Sequence, residues 1–188
     1  MALDDFDDQT LIQLVQDGNQ QAFGVLVKRY MQRAYFVALG LVGCHDDALD
    51  LSQDAFVRCY RAIKRFDKNR EFFTWFYQIL RNLCFNFLRD RKPRVYRFTE
   101  IPEEEIILIQ ADADLQPDII FEKQEQSREL WSAIQALPEP EKEVIILREF
   151  QNMSYQEIAS VLSCPVGTVM SRLYYARKCL AQVLRGTA

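Results

Sequence analysis

The chain has 188 residues, 49% of them hydrophobic, and a formal net charge of -4. It holds no run of about 18 apolar residues, and its first residues, MALDDFDDQT, are acidic where a secretory signal peptide would be basic and then apolar. These features argue against membrane insertion and secretion, and they predict a cytoplasmic protein of one large or two small domains.

Helical periodicity fills the first half of the chain, and nothing in it is typical of a strand. A short amphipathic helix is predicted from Thr10 to Gln16, and a longer one ends at Gly43. Asp46 is the predicted N-cap of a third helix, whose predicted buried face comprises Leu51, Ala55, Phe56, Tyr60 and Ile63. A fourth helix is predicted from about Phe72 to Asp90, with the inward residues Phe72, Phe73, Trp75, Phe76, Ile79, Leu80, Leu83 and Phe87.

The five cysteines are scattered through the chain without a C-x-x-C pair, and there is a single histidine. Because a structural zinc site needs four clustered Cys or His ligands, we predict no metal site. Cys44 and His45 are adjacent, but they lie in a predicted helix-ending loop without a third partner. We therefore expect reduced thiols, no catalytic residue and no cofactor.

The periodicity is lost from Pro93 to about Gln124. Residues 93–127 carry nine acidic side chains against three basic ones, whereas residues 58–92 carry ten basic side chains against three acidic ones. The short apolar run Ile106–Ile109 is compatible with either a strand or a helical turn. We interpret the segment as a flexible acidic linker.

The last part of the chain predicts four helices. Two of them precede Ser154, which forms a capping box with Glu157 at the start of a third, short helix. Pro165 then begins a longer helix, whose predicted apolar stripe comprises Val169, Leu173, Ala176 and Leu180. This order of a short helix, a tight turn and a longer helix predicts a helix-turn-helix, whose second helix enters the DNA major groove. A plain helical hairpin has the same pattern. No acidic residue follows position 164, which favours DNA binding.

The predicted fold class is therefore all-α, with two small helical domains joined by a flexible acidic linker. We place the first domain at residues 1–92, the linker at 93–124 and the helix-turn-helix domain at 125–188.

Three blocks of sequence make the chain resemble a bacterial sigma factor of the extracytoplasmic-function type, over nearly its whole length. The family's segment that binds RNA polymerase is similar to DALDLSQDAFVRCYRAIKRF. Its helix that reads the promoter minus 10 element is similar to FFTWFYQILRNLCFNFLRDR. LPEPEKEVIILREFQNMSYQEIASVLSCPVGTVMSRLYYARKCL resembles the minus 35 reading domain. The resemblance implies a transcription initiation factor that binds core RNA polymerase, reads both elements and promotes DNA opening, and that is not an enzyme.

Asp50, Gln53 and Asp54 lie at i, i+3 and i+4, on one polar face of the third helix. They match a D-x-x-Q-[DE] pattern with which sigma factors dock on a coiled coil of the polymerase β' subunit. Without that resemblance, the same residues are explained by a solvated helix face.

For the minus 10 element, the resemblance implies a loop that holds a base flipped out of the non-template strand. Unstacking a base costs a few kcal/mol, so the pocket must return that energy through hydrogen bonds and stacking. The implied contacts are Phe66, Asp67, Lys68, Asn69 and Arg70 in the loop, and Tyr77, Gln78, Arg81, Asn82 and Arg89 on the polar side of the fourth helix. Asn82 stands at a position that the family uses for base contact, whereas we expect Trp75 to pack in the core.

For the minus 35 element, the implied contacts are Thr168, Met170, Ser171, Arg172, Tyr174, Tyr175, Arg177 and Lys178. The sequence departs from the family at Met170 and Tyr175, where basic residues are usual or frequent. Apolar and aromatic groups suit thymine methyls better than guanine, so we expect an altered minus 35 preference. We expect Arg177 to contact phosphate, and Ser171 and Tyr174 to lie near bases.

The partners implied by the resemblance are the β' and β subunits of core RNA polymerase, promoter DNA and an anti-sigma factor. The acidic linker either threads a positively lined polymerase channel or is a plain tether. The alternative function is a two-domain helix-turn-helix regulator that does not associate with core polymerase and whose first domain senses a signal or dimerises. A cysteine-based redox protein is disfavoured, because the chain has no C-x-x-C pair and the adjacent Cys44 and His45 have no third partner.

Overall fold

The computed structural model describes residues 2–68, 70–90 and 129–185, and every regular element in these ranges is helical. The all-α prediction is thus confirmed. The predicted linker at 93–124 and Asn69 of the predicted base pocket lie outside the described residues. We call residues 2–90 the N-terminal bundle and residues 129–185 the C-terminal module.

The N-terminal bundle consists of four α-helices, with short 3-10 turns at Leu3–Asp5 and Ile63–Arg65. The helices are α1 (Asp8–Gln16), α2 (Gln20–Val42), α3 (His45–Ala62) and α4 (Phe72–Asp90). Within the described residues, no helix is both long enough and apolar enough to cross a membrane.

Side-chain caps and glycines set the ends of the first helices. The Asp7 carboxylate accepts a hydrogen bond from the backbone N–H of Thr10 at 2.8 Å, so α1 begins two residues before the predicted start. Asn19 caps α2 in the same way, and Gly43 ends it in the left-handed region at φ +74°.

The predicted N-cap of α3 is wrong. The helix begins at His45, and the capping position is Cys44, whose side chain makes no cap hydrogen bond. Asp46 lies one residue inside the first turn. Its negative charge there still complements the partial positive charge at the helix N-terminus. An aspartate therefore correctly indicated that a helix begins nearby, but it did not identify the capping residue.

Aromatic rings fill the core of the N-terminal bundle. The Phe56 and Phe76 rings stack across α3 and α4 with centroids 4.4 Å apart, and Tyr30 of α2 packs on Phe72 at 5.2 Å. Of the predicted inward residues of α4, those that are fully buried are Phe72, Phe73, Phe76, Leu80 and Leu83, and those that are partly buried are Trp75, Ile79 and Phe87. Offset aromatic pairs of this kind add stability beyond the area they bury.

Two of the cysteines, Cys59 of α3 and Cys84 of α4, are buried in this core. Burial raises the pKa of each thiol to about 12, because an apolar environment disfavours the thiolate. Both side chains therefore behave as small apolar core residues.

The C-terminal module also contains four helices. They are α5 (129–135), α6 (Glu139–Ile145), which continues as a π-helical turn over Ile146–Phe150, α7 (Tyr155–Leu162) and α8 (Val166–Arg185). The predicted capping box of α7 is confirmed: Ser154 Oγ accepts from the Glu157 N–H at 3.3 Å, and Glu157 Oε2 accepts from the Ser154 N–H at 2.6 Å. Ser163 ends α7 at φ +51°, and α8 follows Pro165, so the helix-turn-helix has its predicted form.

Candidate functional site

The predicted polymerase-binding residues lie together on the surface of α3. Asp50, Gln53 and Asp54 are all exposed, and a carboxylate oxygen of Asp54 pairs with the Arg58 guanidinium at 3.2 Å. Because both members of that pair are about half exposed, water screens it and the Asp54 carboxylate remains accessible to a partner.

An apolar groove between α2 and α3 borders these residues. We call it the α2–α3 groove, and its apolar lining residues are Phe23, Val27, Met31, Phe56, Val57 and Tyr60. Val57 is 47% exposed and Tyr60 is 39% exposed, so α3 presents two large apolar side chains to solvent along the groove. The prediction that Tyr60 is buried was therefore wrong: its ring rests against Phe23, with centroids 4.9 Å apart, and one side stays open to solvent.

Sequence reasoning missed Val57 as a functional candidate. The residue lies four positions after Gln53, so it continues the polar face of the predicted docking residues. The sequence did contain an indication of this, because Val57 is an apolar side chain on an otherwise polar helix face.

The loop before α4 separates into buried and exposed parts. Phe66 is buried, with its ring 4.5 Å from that of Trp75, which is itself partly buried against the core. Asp67, Lys68 and Arg70 are exposed, and Lys68 Nζ donates to Gln13 Oε1 at 2.7 Å. In this arrangement Phe66 packs beneath the loop, and the exposed side chains in the described part of the loop include Asp67, Lys68 and Arg70.

The polar side of α4 is only partly exposed. Asn82 and Arg89 face solvent, whereas Tyr77 is fully buried, which corrects the expectation that its ring lies on an open polar face. The Tyr77 hydroxyl donates to Glu143 Oε1 at 3.1 Å, and burial raises the pKa of that hydroxyl. The reason for the error is a contact with α6, 66 residues away in sequence.

The remaining two predicted residues of α4 also contact the C-terminal module. The Gln78 side-chain amide donates to the backbone carbonyl of Val161, and the Arg81 guanidinium forms a bidentate pair with Glu143, with Nη2 3.0 Å from Oε2. The hydrogen bonds that Arg81 donates to the Glu143 carboxylate raise the pKa of the guanidinium. Tyr77, Gln78 and Arg81 thus lie close together, but their polar groups bond to the C-terminal module instead of facing solvent.

The long last helix, α8, presents an exposed apolar and aromatic surface. Met170, Tyr174 and Tyr175 are 54%, 63% and 58% exposed, and the two tyrosine rings meet edge to face at 5.5 Å. The other predicted contacts on this helix are Thr168 and Arg172, half-buried, and Ser171, Arg177 and Lys178, exposed. On the opposite side of the helix, the predicted stripe residues Val169, Leu173 and Ala176 are buried, and Leu180 is partly buried.

Two of these polar side chains already have partners in the C-terminal module. Ser171 Oγ donates to the Thr168 carbonyl at 3.0 Å. Arg177 Nη2 donates to Glu149 Oε1 at 2.6 Å, and this bond raises the pKa of the guanidinium. Glu149 therefore orients Arg177 at the edge of the exposed surface, an arrangement that a separation of 28 residues conceals in the sequence.

Two family models match the chain. The family model described as Sigma-70 region 2 matches residues 26–94, which include most of α2 and all of α3 and α4. The family model described as Sigma-70, region 4 matches residues 127–180, which include the helix-turn-helix. The matched ranges thus contain both the exposed face of α3 that carries Asp50, Gln53 and Asp54 and the exposed face of α8.

Curated relatives are similar over nearly the full length. The RNA polymerase sigma-H factor of Pseudomonas aeruginosa is 34% identical over 184 residues, which cover 95% of this chain and 94% of that protein. The ECF RNA polymerase sigma-E factor of Escherichia coli K12 is 35% identical over 176 residues, which cover 92% of each.

Solved structures are similar as well. CnrH in complex with the cytosolic domain of CnrY is 27% identical, with a TM-score of 0.73 over 96% of this chain and 99% of that one. The sigma factor RpoE in complex with the anti-sigma factor NepR from Bartonella quintana is 22% identical, with a TM-score of 0.64 over 87% and 96% of the two chains. The second likeness concerns the fold alone.

Proposed function

Because this chain belongs to the sigma-70 family, as an RNA polymerase sigma factor of the extracytoplasmic-function type, we propose a role for each of its exposed surfaces in transcription initiation. The family assignment favours the sigma factor over the alternative of a free-standing regulator. In that alternative the first domain is a sensing or dimerising bundle, whereas here that domain matches sigma-70 region 2.

We assign the α3 face to core RNA polymerase. Asp50, Gln53 and Asp54 supply exposed carboxylates and an amide, and the α2–α3 groove beside them supplies apolar surface. Protein interfaces combine these two features, with a few apolar and aromatic anchors inside a polar rim. A coiled coil of the β' subunit, which the family pattern implies, is the proposed occupant.

We assign the exposed part of α4 and its preceding loop to the minus 10 element. Asn82 offers an amide that both donates and accepts, as base edges require, and Lys68, Arg70 and Arg89 provide positive charge for the strand's phosphates. Asn69 belongs to the same proposal on the ground of the sequence alone.

We assign the exposed face of α8 to the minus 35 element. Its apolar and aromatic groups, Met170, Tyr174 and Tyr175, fit thymine methyls, while Arg172 and Lys178 provide positive charge. Arg177, held by Glu149, suits a phosphate at the border of the contact.

The observation that carries the whole proposal is the presence of two separate exposed surfaces on one chain, a polar and apolar face on α3 and a face without acidic residues on α8. Its test is an electrophoretic shift with promoter DNA. We expect retention of the DNA only when the chain and core RNA polymerase are both present. Tight sequence-specific binding by the chain alone, unaffected by polymerase, would instead support the free-standing regulator.

We further propose that the chain acts in the cytoplasm, where the polymerase is, and that a protein inhibitor of the anti-sigma class controls it. The proposed role requires no catalysis by this chain, since sigma factors are not enzymes. Purification of the chain from cells under native conditions, followed by mass spectrometry, should recover polymerase subunits and any such inhibitor together.

Replacing Gln53 and Asp54 together with alanine should weaken binding to core polymerase about tenfold, which corresponds to about 1.4 kcal/mol. The two side chains are exposed, so the loss reflects missing contacts with the partner and not misfolding. A matched control removes an amide and a carboxylate from other exposed positions, Gln182 and Asp90. Equal affinities of the two double variants in a competition assay would refute the docking assignment.

A further inference from the structure

The first long helix of the chain, α1, has no role in the functions proposed above. The family model described as Sigma-70 region 2 begins at residue 26, after α1 has ended. Two glutamines in the last turn of α1, Gln13 and Gln16, nevertheless bond to the loop before α4, from which 47 to 55 residues separate them. The helix is therefore placed to set the shape of the loop that we assign to the minus 10 element.

Gln16 holds the backbone at the start of this loop. Its half-buried side-chain amide donates to the carbonyls of Ile63 and Phe66, both at 2.9 Å. An amide carries two N–H donors, so one side chain can bond to both acceptors. Phe66 leaves the 3-10 turn after α3 in an extended conformation, at φ -74° and ψ 132°. The two bonds thus fix the direction in which the chain enters the loop.

Gln13 orients a cation of the same loop. Its Oε1 accepts from Lys68 Nζ at 2.7 Å, while its Nε2 donates to both carboxylate oxygens of Asp17 at 3.1 Å. Asp17 thereby turns the amide so that its oxygen faces the ammonium. A neutral amide positions the cation without cancelling its charge, and an ammonium has three donors. Lys68 can therefore bind a phosphate while it stays bonded to α1.

The other end of the loop is fixed as well. The Glu71 carboxylate accepts from the backbone N–H groups of Phe73 and Thr74, at 3.2 and 2.5 Å, and so joins the end of the loop to the first turn of α4. Between the two ends, the Arg70 N–H donates to the Asp67 carbonyl at 3.0 Å and closes a turn. The exposed side chains of the loop that the structure describes lie between these two fixed points.

We propose that α1 is a positioning element for promoter recognition, in which Gln16 sets the backbone of the minus 10 loop and Gln13 orients the Lys68 ammonium. This rests on the proposed role of the loop. A loop that is ordered before DNA binds loses less conformational entropy on binding, so more of the contact free energy remains for holding an unstacked base. Neither glutamine contacts DNA, and both act through the loop.

Replacing Gln16 with methionine tests the backbone part of the proposal. Methionine keeps a straight side chain and good helix propensity but has no N–H donor. We expect holoenzyme with Gln16→Met to open the promoter about tenfold more slowly and to discriminate less between bases of the minus 10 element, at unchanged affinity for core polymerase. Permanganate footprints measure opening, and selection from a library randomised in the minus 10 element measures preference. The matched control is Gln9→Met, at an exposed position two turns earlier in α1.

A second substitution at the same position separates positioning of the loop from a loss of stability. The ammonium of Gln16→Lys can donate to both carbonyls, so we expect it to restore opening and base preference close to those of the parent. Gln9→Lys controls for the added charge. If both Gln16 variants melt at lower temperature while their base preference stays that of the parent, the residue only stabilises the fold and the proposal is overturned.

Gln13→Met should act differently, because it releases Lys68 without changing the backbone of the loop. We expect holoenzyme with this variant to bind all promoters about threefold more weakly, without a change in base preference, as a displaced phosphate contact predicts. The double variant with Lys68→Ala should bind like Lys68→Ala alone, since Gln13 acts only through that ammonium. Additive losses in this cycle would overturn the role of Gln13.

A loop variant distinguishes failure of this proposal from failure of the minus 10 assignment. We expect holoenzyme with Asp67→Ala and Arg70→Ala together to open the promoter poorly. If it does so while Gln16→Met behaves like Gln9→Met, the loop contacts the promoter and α1 does not position it. If the loop variant opens the promoter normally and with the parent's base preference, the minus 10 assignment of the loop fails, and the role of α1 fails with it.

Discussion

A glutamate in place of Val57 is expected to weaken binding of the chain to core RNA polymerase by about 30-fold or more, which corresponds to at least about 2 kcal/mol. Val57 is 47% exposed in the α2–α3 groove, next to the proposed docking residues. Buried apolar anchors carry most of the energy of an interface, and a carboxylate at this position would be desolvated without a partner. The effect should therefore exceed that of removing Gln53 and Asp54.

The measurement is a titration of fluorescently labelled core polymerase, without DNA. Val183→Glu is the matched control, because it makes the same change at a position of α8 that is 49% exposed. Unaltered affinity for Val57→Glu, with helix content and thermal stability like those of the parent, would show that polymerase does not use the groove.

The second large effect is expected at Met170. Replacing this residue with arginine should shift the minus 35 preference towards guanine by about 1–3 kcal/mol at one base position, since the guanidinium matches the two acceptors of guanine in the major groove. Met170 is 54% exposed on α8, so the longer side chain can extend without disturbing the buried stripe.

Selection from a promoter library randomised in the minus 35 element, with holoenzymes containing each variant, measures this shift. Val183→Arg adds the same charge to the same helix about four turns later, and it should strengthen binding to all sequences alike without changing the preference. Identical consensus sequences for the parent and Met170→Arg would mean that this face of α8 does not read bases.

Features that depend on neighbouring residues could be predicted from the sequence. The Ser154 and Glu157 capping box, the turn before Pro165 and the apolar stripe of α8 all involve groups within one or two helical turns of each other. Their hydrogen bonds and periodicity need no information about the rest of the fold. The helix-turn-helix was accordingly predicted with nearly correct ends.

Features that depend on distant residues could not be predicted in this way. Tyr77 looks like the polar-side residue of an amphipathic helix until Glu143 is placed opposite its hydroxyl. Tyr60 has the spacing of a core residue, but α2 leaves one side of its ring open. The partner of Arg177 lies on a separate helix as well. Burial of a side chain is decided by which helix packs on it, and helical spacing alone does not contain that information.

The two buried thiols of the N-terminal bundle make the rate of cysteine alkylation a measure of its unfolding. Alkylating reagents attack the thiolate, which is almost absent at neutral pH when the thiol pKa is about 12. Cys179 is exposed and reacts directly, whereas Cys59 and Cys84 are shielded until the bundle opens. The slow phase of iodoacetamide labelling therefore follows the unfolding of the bundle, without an engineered label.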